Sequence, residues 1–512
     1  MAWLHRLQGG WSQYPDRILQ GAGSCFRRHR SGTIGVLGLV ALGLAGCGNQ
    51  YRPVVTPINP TGPAALPDAN VVVVSQPGYS PLLPSTTGPC AGGTYGTPGI
   101  FSLVNFSGDS ISNEANGGNG PLTFALDTGG SSVYSPNCDG TLTNATATTG
   151  ALVTKSIQTS TLLPTSWNWV PTNALLANGN LYVTEICPGG LTCVCPNGGT
   201  TCNNFVAQMK GSPEALEQEI PVAPSLINLT GFSTAERVYA ISQGNSSGGT
   251  QPAWGDCATP GNVTVDGEAD AIETTTNTIS ATLPLGICPV YGFMTPDAQR
   301  TFIMNRGSGT VTVINSQLNA IDAAHPSIAV GAGPVYADYY RTGQVLVTAN
   351  YDAGTISIID VSLDPYGNDS TTFGTVLATV AVGLHPVEVT ILQDGSRVYV
   401  ANQGDLTTTP VTPGSVTVVN LTNYTVEKTI ALTTNPHTIA SVYNYPIGKV
   451  YVASQNSPYL TVIRTDTDVV SATPEMQGNI VEMRVSAQYP GQASAGSSNY
   501  RTESRSVGSG AP

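Results

Sequence analysis

The feature that most constrains this chain is a repeat of about fifty residues, most regular between residues 286 and 473. A short strand with alternating apolar residues recurs at Val398–Asn402 and Val450–Ser454, with looser copies at 345–350 and 301–305. Such alternation predicts strands, and a second β-branched strand follows each copy. An all-β sandwich does not explain this period, and a β-helix needs shorter coils.

A proline opens each unit and gives the register of the repeat. Proline has no N–H to donate to a β-ladder, so it suits the connection that enters a strand. The prolines recur at intervals of about fifty residues, and they are Pro121, Pro171, Pro224, Pro289, Pro334, Pro386 and Pro436. The sequence therefore predicts a series of complete four-stranded units, one after each proline.

The two ends of the repeat region complete one another. An eighth opening strand at Ile480–Ser486 has no partner after it. Near the N-terminus, Asn70–Ser75, Gly99–Asn105 and Ser110–Asn113 have the pattern of second, third and fourth strands without a first. One composite blade would remove the open sheet edges. We therefore expect an all-β propeller over residues 69–488, with eight four-stranded blades closed by the C-terminal strand and the N-terminal strands; seven blades is the alternative.

The motif V-Y-V-A-N at Val398–Asn402, followed by a glycine-led β-branched strand at Gly414–Val419, resembles the YVTN family of β-propellers. The resemblance is good over residues 286–473 and degenerate over 69–285. Proteins of that family include surface-layer and exported prokaryotic proteins, and seven blades are usual among them. The resemblance therefore implies a propeller that works outside the cytoplasm.

The N-terminal segment has the order of parts found in an export signal. Arg27, Arg28 and Arg30 precede an uncharged apolar stretch that is too short to cross a bilayer comfortably. The stretch ends in Leu-Ala-Gly-Cys, which resembles a bacterial lipobox whose cysteine is acylated before cleavage. We therefore expect residues 1–46 to be a lipoprotein signal peptide and Cys47 to carry the lipid. An ordinary signal peptide or an uncleaved anchor is the alternative.

The segments that flank the propeller have the composition of spacers. Residues 47–68 are rich in proline, which favours the extended polyproline II conformation and predicts a stalk after the lipid. Residues 489–512 are rich in Gly, Ser and Ala, lack apolar periodicity and predict a disordered tail. Gly48, where inner-membrane lipoproteins carry Asp, favours the outer membrane if the cell has one. We therefore expect a cell-envelope protein held to the membrane by its lipid.

The charge balance excludes one class of partner. The chain has 19 basic and 32 acidic residues, a formal net charge of −13. Binding to nucleic acid relies on basic groups that neutralise phosphates. Nucleic acid is therefore not an expected partner.

Four long segments, 76–98, 185–204, 243–260 and 403–413, are expected to join the second and third strands of their blades. In a propeller of antiparallel blades, these loops share one face with the connections between blades. Long loops on a rigid scaffold are usual places for binding. We expect this face to hold the binding surface; spacers without a ligand are the alternative.

The cysteines follow the same loops. Eight remain after the leader and the lipid site, and an even number in an exported protein predicts oxidation. Cys257 with Cys288, and Cys90 with Cys138, are the pairs that their loops bring together. Two further bridges of unknown pairing are expected within one loop, among Cys187, Cys193, Cys195 and Cys202. Their spacing matches no usual zinc knuckle, so no metal is predicted there.

Histidine offers a weak candidate site. The sequence has no metalloprotease, nucleophile-elbow or phosphate-loop motif. His385 and His437 flank Pro386 and Pro436 and are expected near the axis on the loop-rich face, where they would bind a metal or a substrate. Exposed histidines in connecting loops are the alternative.

Two acidic segments offer oxygen ligands that suit Ca²⁺, and each is expected in a hairpin turn. They are Asp266, Glu268, Asp270 and Glu273 in one segment, and Asp466 and Asp468 in the other. Neither has the spacing of a calcium loop, and solvated turns are the alternative reading. No cofactor is therefore predicted, with Ca²⁺ as the exception to be tested.

These features predict a lipid-anchored propeller that acts as a binding or scaffold module. Its loop-rich face would meet a protein or polysaccharide partner in the envelope. The alternative is a propeller enzyme that uses the central channel, either a lactonase-like hydrolase or an oxidoreductase. The scarcity of tryptophan argues against quinone-dependent dehydrogenases, whose blades carry a repeated tryptophan motif.

Overall fold

The computed structural model describes residues 70–76, 90, 97–126, 132–148, 151–155, 169–187, 193–194, 204–211, 214–247, 251–253, 255–340, 344–442 and 448–485. All of them fall within one compact unit, Leu66–Pro512. The expected signal peptide, lipidated Cys47, stalk and tail lie outside the described residues and stay predictions. Among the described residues, no helix has the length and apolar character to span a membrane.

The strands follow one another in chain order and are grouped below by blade. Blade 1 holds β1 (Asn70–Gln76), β2 (Pro98–Asn105), β3 (Ser110–Asn119) and β33 (Asn479–Val485); blade 2 holds β4 (Ala125–Leu126), β5 (Ser132–Pro136), β6 (Leu142–Thr148) and β7 (Ala151–Lys155); blade 3 holds β8 (Val170–Ala177), β9 (Asn180–Ile186), β10 (Phe205–Gly211) and β11 (Glu214–Pro221); blade 4 holds β12 (Leu226–Thr230), β13 (Arg237–Ser242), β14 (Asp266–Glu273) and β15 (Thr278–Ile287). Blade 5 holds β16 (Pro289–Met294), β17 (Arg300–Asn305), β18 (Thr310–Asn315), β19 (Ala320–Ile321) and β20 (Ser327–Ala329); blade 6 holds β21 (Pro334–Tyr340), β22 (Val345–Asn350), β23 (Thr355–Asp360) and β24 (Val376–Ala381); blade 7 holds β25 (Pro386–Ile391), β26 (Arg397–Asn402), β27 (Ser415–Asn420) and β28 (Thr425–Ala431); blade 8 holds β29 (Asn435–Val442), β30 (Lys449–Gln455), β31 (Thr461–Arg464) and β32 (Val469–Ala472).

The eight sheets form the eight blades of a propeller, which confirms the all-β fold and excludes the seven-bladed alternative. Seven blades use consecutive strands, while blade 1 has the order β33-β1-β2-β3. The closing strand β33 is antiparallel to β1, with Val71 opposite Val485. The C-terminal strand thus supplies the innermost strand that the N-terminal strands lack, and this confirms the expected closure.

The β-branched sequences form these blades because both faces of a blade are covered by its neighbours. In β26, Val398, Tyr399, Val400 and Ala401 are all fully buried although their side chains alternate between the two faces. Strands covered on both sides favour continuous apolar runs over strict alternation. The core therefore lies between blades and runs around the ring.

The strand-opening prolines sit where the register predicts. Pro289, Pro334 and Pro386 are the first residues of β16, β21 and β25, and Pro171 is the second residue of β8. At the start of an innermost strand a missing N–H costs the ladder little. The proline thus marks the entry of the chain into each blade.

A tyrosine in the second strand of several blades bonds to the next blade. Its hydroxyl meets an Asn or Asp in the hairpin between the third and fourth strands, and that residue has a φ between 50° and 56°. Asn and Asp accept this left-handed conformation more readily than most residues. The pairs are Tyr182 with Asn277 (2.7 Å), Tyr239 with Asn319 (3.4 Å), Tyr399 with Asp468, and Tyr451 with Asp109 (3.2 Å).

A basic side chain two residues before this tyrosine position binds the same hairpin. It donates to a backbone carbonyl of the next blade in each case. The bonds run from Arg237 to Ser316 O (2.9 Å), from Arg300 to Gly367 O (3.2 Å), from Arg397 to Thr465 O (2.6 Å) and from Lys449 to Phe106 O (2.5 Å). We call the cation, the aromatic residue and the hairpin they contact the inter-blade clamp.

Candidate binding face

The loops between second and third strands and the connections between blades lie at one end of the propeller, because the strands of each blade are antiparallel. We call this end the loop face. The opposite end carries the short hairpins between third and fourth strands and therefore the inter-blade clamps. The described parts of the long segments expected from the sequence all belong to the loop face. Within those segments, 77–89, 91–96, 188–192, 195–203, 248–250 and 254 lie outside the described residues.

Disulfides tie the loops of this face to the scaffold. Cys257 in the long loop of blade 4 bonds to Cys288 at the entrance of blade 5, with a Cα–Cα distance of 5.5 Å. Cys90 bonds to Cys138 and joins the loops of blades 1 and 2, also with a Cα–Cα distance of 5.5 Å. Both are the pairs that the sequence predicts.

The cysteine-rich loop of blade 3 contains a third bridge, between Cys187 and Cys193, with a Cα–Cα distance of 5.9 Å. Cys195 and Cys202 lie outside the described residues, so their pairing stays a prediction. Trp169 anchors the same loop, because its indole N–H donates to Val194 O at 2.8 Å. The sulfur and indole contacts hold the described part of this loop against the buried face of blade 3.

The loop of blade 4 packs around its own disulfide. Cys257, Val263 and Cys288 form a small buried cluster. Ser225 donates to Pro252 O at 2.5 Å, which fixes the middle of the loop to the entrance of its own blade. A long loop anchored at several points loses less conformational entropy when it meets a partner.

The loop of blade 7 is held by its own polar side chains. Asp405 and Thr412 exchange two backbone hydrogen bonds, of 3.1 and 2.9 Å. Hydrogen bonds from Thr407 lower the pKa of Asp405, so this carboxylate stays ionised. Asn435 in blade 8 donates to the carbonyls of Gln403 and Thr412, at 2.7 and 2.9 Å. The loop therefore lies across the junction of blades 7 and 8.

A stacked cluster joins blades 5, 6 and 7 on the loop face. The Arg306 guanidinium lies 4.7 Å from the centroid of the Tyr351 ring, and the His385 ring stacks on Tyr351 with centroids 4.4 Å apart. Arg306 is paired with Asp352 at 3.0 Å. The Tyr351 hydroxyl donates to Gln403 Oε1 at 3.1 Å, and burial raises the pKa of this tyrosine. The cluster fixes the relative position of three blades.

The two histidines singled out from the sequence occupy different surroundings. His385 precedes β25 with a φ of 53°, and its Nδ1 lies 2.7 Å from Gly404 O. His437 lies within β29, and its Nε2 is 3.0 Å from Val481 O in the closing strand. Each imidazole is hydrogen-bonded to a backbone carbonyl, and the two carbonyls belong to different blades of the propeller. A binding role for the two histidines stays a prediction.

The first acidic segment is not in a hairpin turn, as the sequence analysis expects, but in the strand β14. Asp270 is buried, where Ala223 N and Thr282 Oγ1 donate to its carboxylate at 2.8 and 2.6 Å. Ser246 donates to Glu268, and Glu273 pairs with Arg237. Three of the four carboxylates thus already have protein partners.

The second acidic segment does lie in a hairpin, between β31 and β32. Asp466 pairs with Arg464, and Asp468 belongs to the clamp of Arg397. Both carboxylates have cationic partners in the protein. A calcium site at either segment stays a prediction, and these pairings would compete with the ion.

Buried acids on the innermost strands escaped the sequence analysis. Asp338 in β21 accepts a bond of 2.8 Å from Ile391 N, and Glu388 in β25 accepts one of 3.0 Å from Ile439 N. Burial raises the pKa of Asp338 to about 8, against the effect of its hydrogen bonds. Each acid therefore links its blade to the next one. The sequence signal that could have found them is their position in an innermost strand, shortly after a repeat proline. A single polar residue in a strand does not show by itself whether it is buried.

The loop face has an excess of acid and several exposed apolar side chains. In its described loops and connections, Arg306 is the one basic side chain apart from His385, and it is paired with Asp352. The acidic residues there are Asp139, Asp256, Asp352, Asp405 and Glu475, and Asp266 begins β14 at the same end. The exposed large apolar side chains there are Val194, Leu384, Val411 and Tyr459. A surface with an apolar centre and basic residues around it would be complementary to this combination.

Comparison with known proteins agrees with the fold. Residues 299–444 match the family described as the choice-of-anchor I domain. No curated protein matches the chain. The chain is similar in structure to the dihydro-heme d1 dehydrogenase NirN in complex with DHE, with a TM-score of 0.53 and 12% identity, over 83% of this chain and 77% of that chain. At this identity the likeness shows the fold alone.

Two further solved structures have lower TM-scores. A functionally unknown protein from Desulfotomaculum acetoxidans gives 0.43 with 12% identity, over 82% of this chain and 98% of that chain. AztD from Citrobacter koseri gives a TM-score of 0.47 with 10% identity, over 82% of this chain and 98% of that chain.

The choice-of-anchor match and the disulfides together indicate an extracellular or cell-surface propeller of the kind that serves as a surface or binding module.

Proposed function

We propose that this protein is a lipid-anchored propeller of the cell envelope whose loop face binds an envelope protein. The observation that carries the proposal is the one-sided distribution of long loops held in place by disulfides. Rigid scaffolds that present fixed loops are a common design for recognition, because little ordering is left to be done on binding.

The anchor is proposed from the N-terminal sequence. The lipobox-like tetrapeptide ends at Cys47, and the Pro-rich residues 48–68 would hold the propeller away from the bilayer. Disulfides persist in oxidising compartments, which supports export. The resemblance to YVTN-repeat propellers points to the same setting and belongs to this proposal.

The chemistry of the loop face favours a protein partner with basic groups over a phosphate-rich polysaccharide. Its described acidic residues have one cation, Arg306, among them, so a polyanion would be repelled. Tyr459 is 46% exposed and Leu384 is 56% exposed, and aromatic and apolar side chains of this kind supply contact energy at protein interfaces. A neutral polysaccharide that stacks on Tyr459 is the second candidate.

Site-specific photocrosslinking tests the proposal in cells that make the full chain. A photoreactive phenylalanine analogue would replace Tyr459 on the loop face or, as a matched control, Tyr366, which is 89% exposed on the opposite face. We expect a discrete adduct from position 459 that proteinase removes, and none from 366. Equal labelling at both positions, or no adduct at 459, would contradict the proposed face; an adduct resistant to proteinase would indicate the polysaccharide.

The anchor is tested separately. A radioactive fatty acid should label the unmodified protein, and Cys47→Ala should abolish this label. Because acylation precedes cleavage, the variant should also keep its N-terminal segment and migrate as the larger, unprocessed chain. An unmodified chain that stays in the membrane fraction without taking up the fatty acid would instead support an uncleaved anchor.

A further inference from the structure

Three potential metal ligands meet on the face opposite to the loop face, between blades 5 and 6. Asp322 follows β19, His325 precedes β20, and Asp369 lies in the long connection from β23 to β24. One ligand atom from each of the three residues lies within 4.8 Å of the others. His325 Nδ1 is 2.9 Å from an Asp369 oxygen and 4.0 Å from an Asp322 oxygen.

Arg300 explains part of this cluster but not all of it. It is the cation of an inter-blade clamp, and it binds Asp369 Oδ1 at 2.7 Å. The clamps of Arg397 and Lys449 each pair the cation with a hairpin aspartate, Asp468 or Asp109. The clamp of Arg300 adds a second buried carboxylate and an imidazole, which a clamp does not need.

The atoms that face each other differ from those that Arg300 binds. His325 Nδ1 lies against Asp369 Oδ2, whereas the carboxylate oxygens nearest to Arg300 are Asp369 Oδ1 and, at 3.7 Å, Asp322 Oδ2. The backbone N–H groups of Ala324 and His325 donate to Asp322 Oδ1 at 3.0 and 2.9 Å, which fixes that carboxylate. Partners of this kind orient metal ligands in known sites.

Access and surroundings also suit an ion. The Asp322 and Asp369 side chains are 7% and 11% exposed, while the His325 side chain is 34% exposed. The ring of His325 packs on Phe373, with centroids 5.1 Å apart, and this limits its rotation. Two carboxylates face one guanidinium, so the cluster has a net negative charge when the imidazole is neutral. Solvent reaches the site from the side of the imidazole.

We propose that Asp322, His325 and Asp369 bind a divalent first-row transition-metal ion, with Zn²⁺ as the best match. One imidazole and two carboxylates are a mixed nitrogen and oxygen set, which suits such ions better than Ca²⁺ or Mg²⁺. Solvent would complete the coordination. The site does not depend on the proposed partner of the loop face.

Titration calorimetry of the tag-free chain from residue 48 with Zn²⁺ tests the site, and Co²⁺ provides a visible absorption spectrum that reports its ligands. We expect about one equivalent of bound ion and a Co²⁺ spectrum typical of low coordination number. His325→Ala and Asp369→Asn should each weaken Zn²⁺ binding by at least about 100-fold, more than the loss of an outer partner causes. Asparagine keeps an acceptor for Arg300, so Asp369→Asn separates loss of the ligand from loss of the clamp.

His385→Asn is the matched control, because asparagine tolerates the positive φ of that position on the other face. It should bind Zn²⁺ as the unmodified chain does, and thermal unfolding should show that all variants are folded. The proposal is overturned if the unmodified chain binds no Zn²⁺, if His325→Ala retains the affinity, or if His385→Asn loses it to the same extent.

Discussion

Lys449 Nζ lies 2.7 Å from Asp109 Oδ1, across the junction where the last complete blade meets the N-terminal strands. The Tyr451 hydroxyl also donates to Asp109 Oδ1 at 3.2 Å. The two partners are 340 residues apart in sequence, so this clamp joins two distant parts of the chain. The closing junction therefore carries the same kind of clamp as the junctions between consecutive blades.

Asp109→Asn tests how much this clamp contributes to the free energy of unfolding. Asparagine keeps the left-handed turn but removes the charge, so Lys449, 12% exposed, loses its ion pair. We expect the free energy of unfolding to fall by about 2 kcal/mol, the range for hydrogen bonds to charged groups. Chemical denaturation would measure it.

Asp466→Asn is the control for that variant. Its pair with Arg464 is a third exposed, and such surface pairs contribute about 0.5 kcal/mol or less. Equal effects of the two substitutions would show that the clamp at the closing junction adds no special stability.

The closing strand β33 should be indispensable for the fold. A chain that ends before Gly478 loses the buried side chains of Ile480 and Met483 and leaves β1 paired with β2 alone, with its inner edge open. Each such side chain contributes about 1.5–3 kcal/mol, and an open sheet edge favours aggregation. We expect loss of the cooperative thermal transition, measured by circular dichroism.

A chain that ends before Tyr489 provides the matched truncation. It keeps β33 and removes only the segment predicted to be a disordered tail. Its melting temperature should equal that of the full mature chain. An unchanged melting temperature for the shorter truncation would contradict closure by β33.

Stability should fall as the pH rises from about 4 to 8. Burial raises the pKa of Asp338 to about 8, and it raises the pKa values of Glu185 and Asp270. The folded state therefore holds more protons than the unfolded state in this window, so raising the pH favours unfolding. Denaturation midpoints across this pH range would measure the slope.

Asp338→Asn isolates the contribution of this acid. The amide cannot ionise, so the slope between pH 5 and 8 should flatten. Its NH₂ group accepts no hydrogen bond, so either Ile391 N or Tyr339 N loses its acceptor and about 1–2 kcal/mol is lost at pH 5. A slope identical to that of the unmodified chain would show that Asp338 is already ionised at neutral pH.

The number of blades was predictable because each blade repeats one strand pattern and the leftover strands at the two ends are complementary. Val398–Asn402 and the repeat prolines fixed the register, and Ile480 and Val71 lie in the strands that close the ring. The disulfides at Cys257 and Cys90 followed from the loop positions alone. These are features in which chain order determines spatial neighbours.

The clamps and the proposed metal site were not predictable in this way, since their partners lie in different blades. Tyr399 and Asp468 are 69 residues apart, and Asp369 reaches Arg300 through an insertion particular to blade 6. The segment at Asp266 was misassigned because Asp, Glu, Gly and Ala have low strand propensity. Pairing of β14 with β13 and β15 on both sides overrides that preference.

Asn402 should stabilise the repeat motif out of proportion to its size. It ends β26, and its Nδ2 donates to Ser415 and Thr417 in the third strand, at 3.1 and 2.9 Å. Its Oδ1 accepts from Gly383 N at 3.1 Å in the connection from blade 6. Asn305 and Asn350 make the same two hydroxyl contacts in their blades. The recurring asparagine therefore joins two strands rather than forming a turn.

Asn402→Ala would leave these groups without partners in a buried position, and we expect a loss of about 2–3 kcal/mol in the free energy of unfolding. Asn423→Ala removes an asparagine that bonds only within an exposed turn, at Thr425, and should change stability by about 0.5 kcal/mol or less. Urea denaturation of both variants would measure the difference. A loss at Asn402 no larger than that at Asn423 would mean that water replaces the amide, and that the repeat retains this residue for another reason.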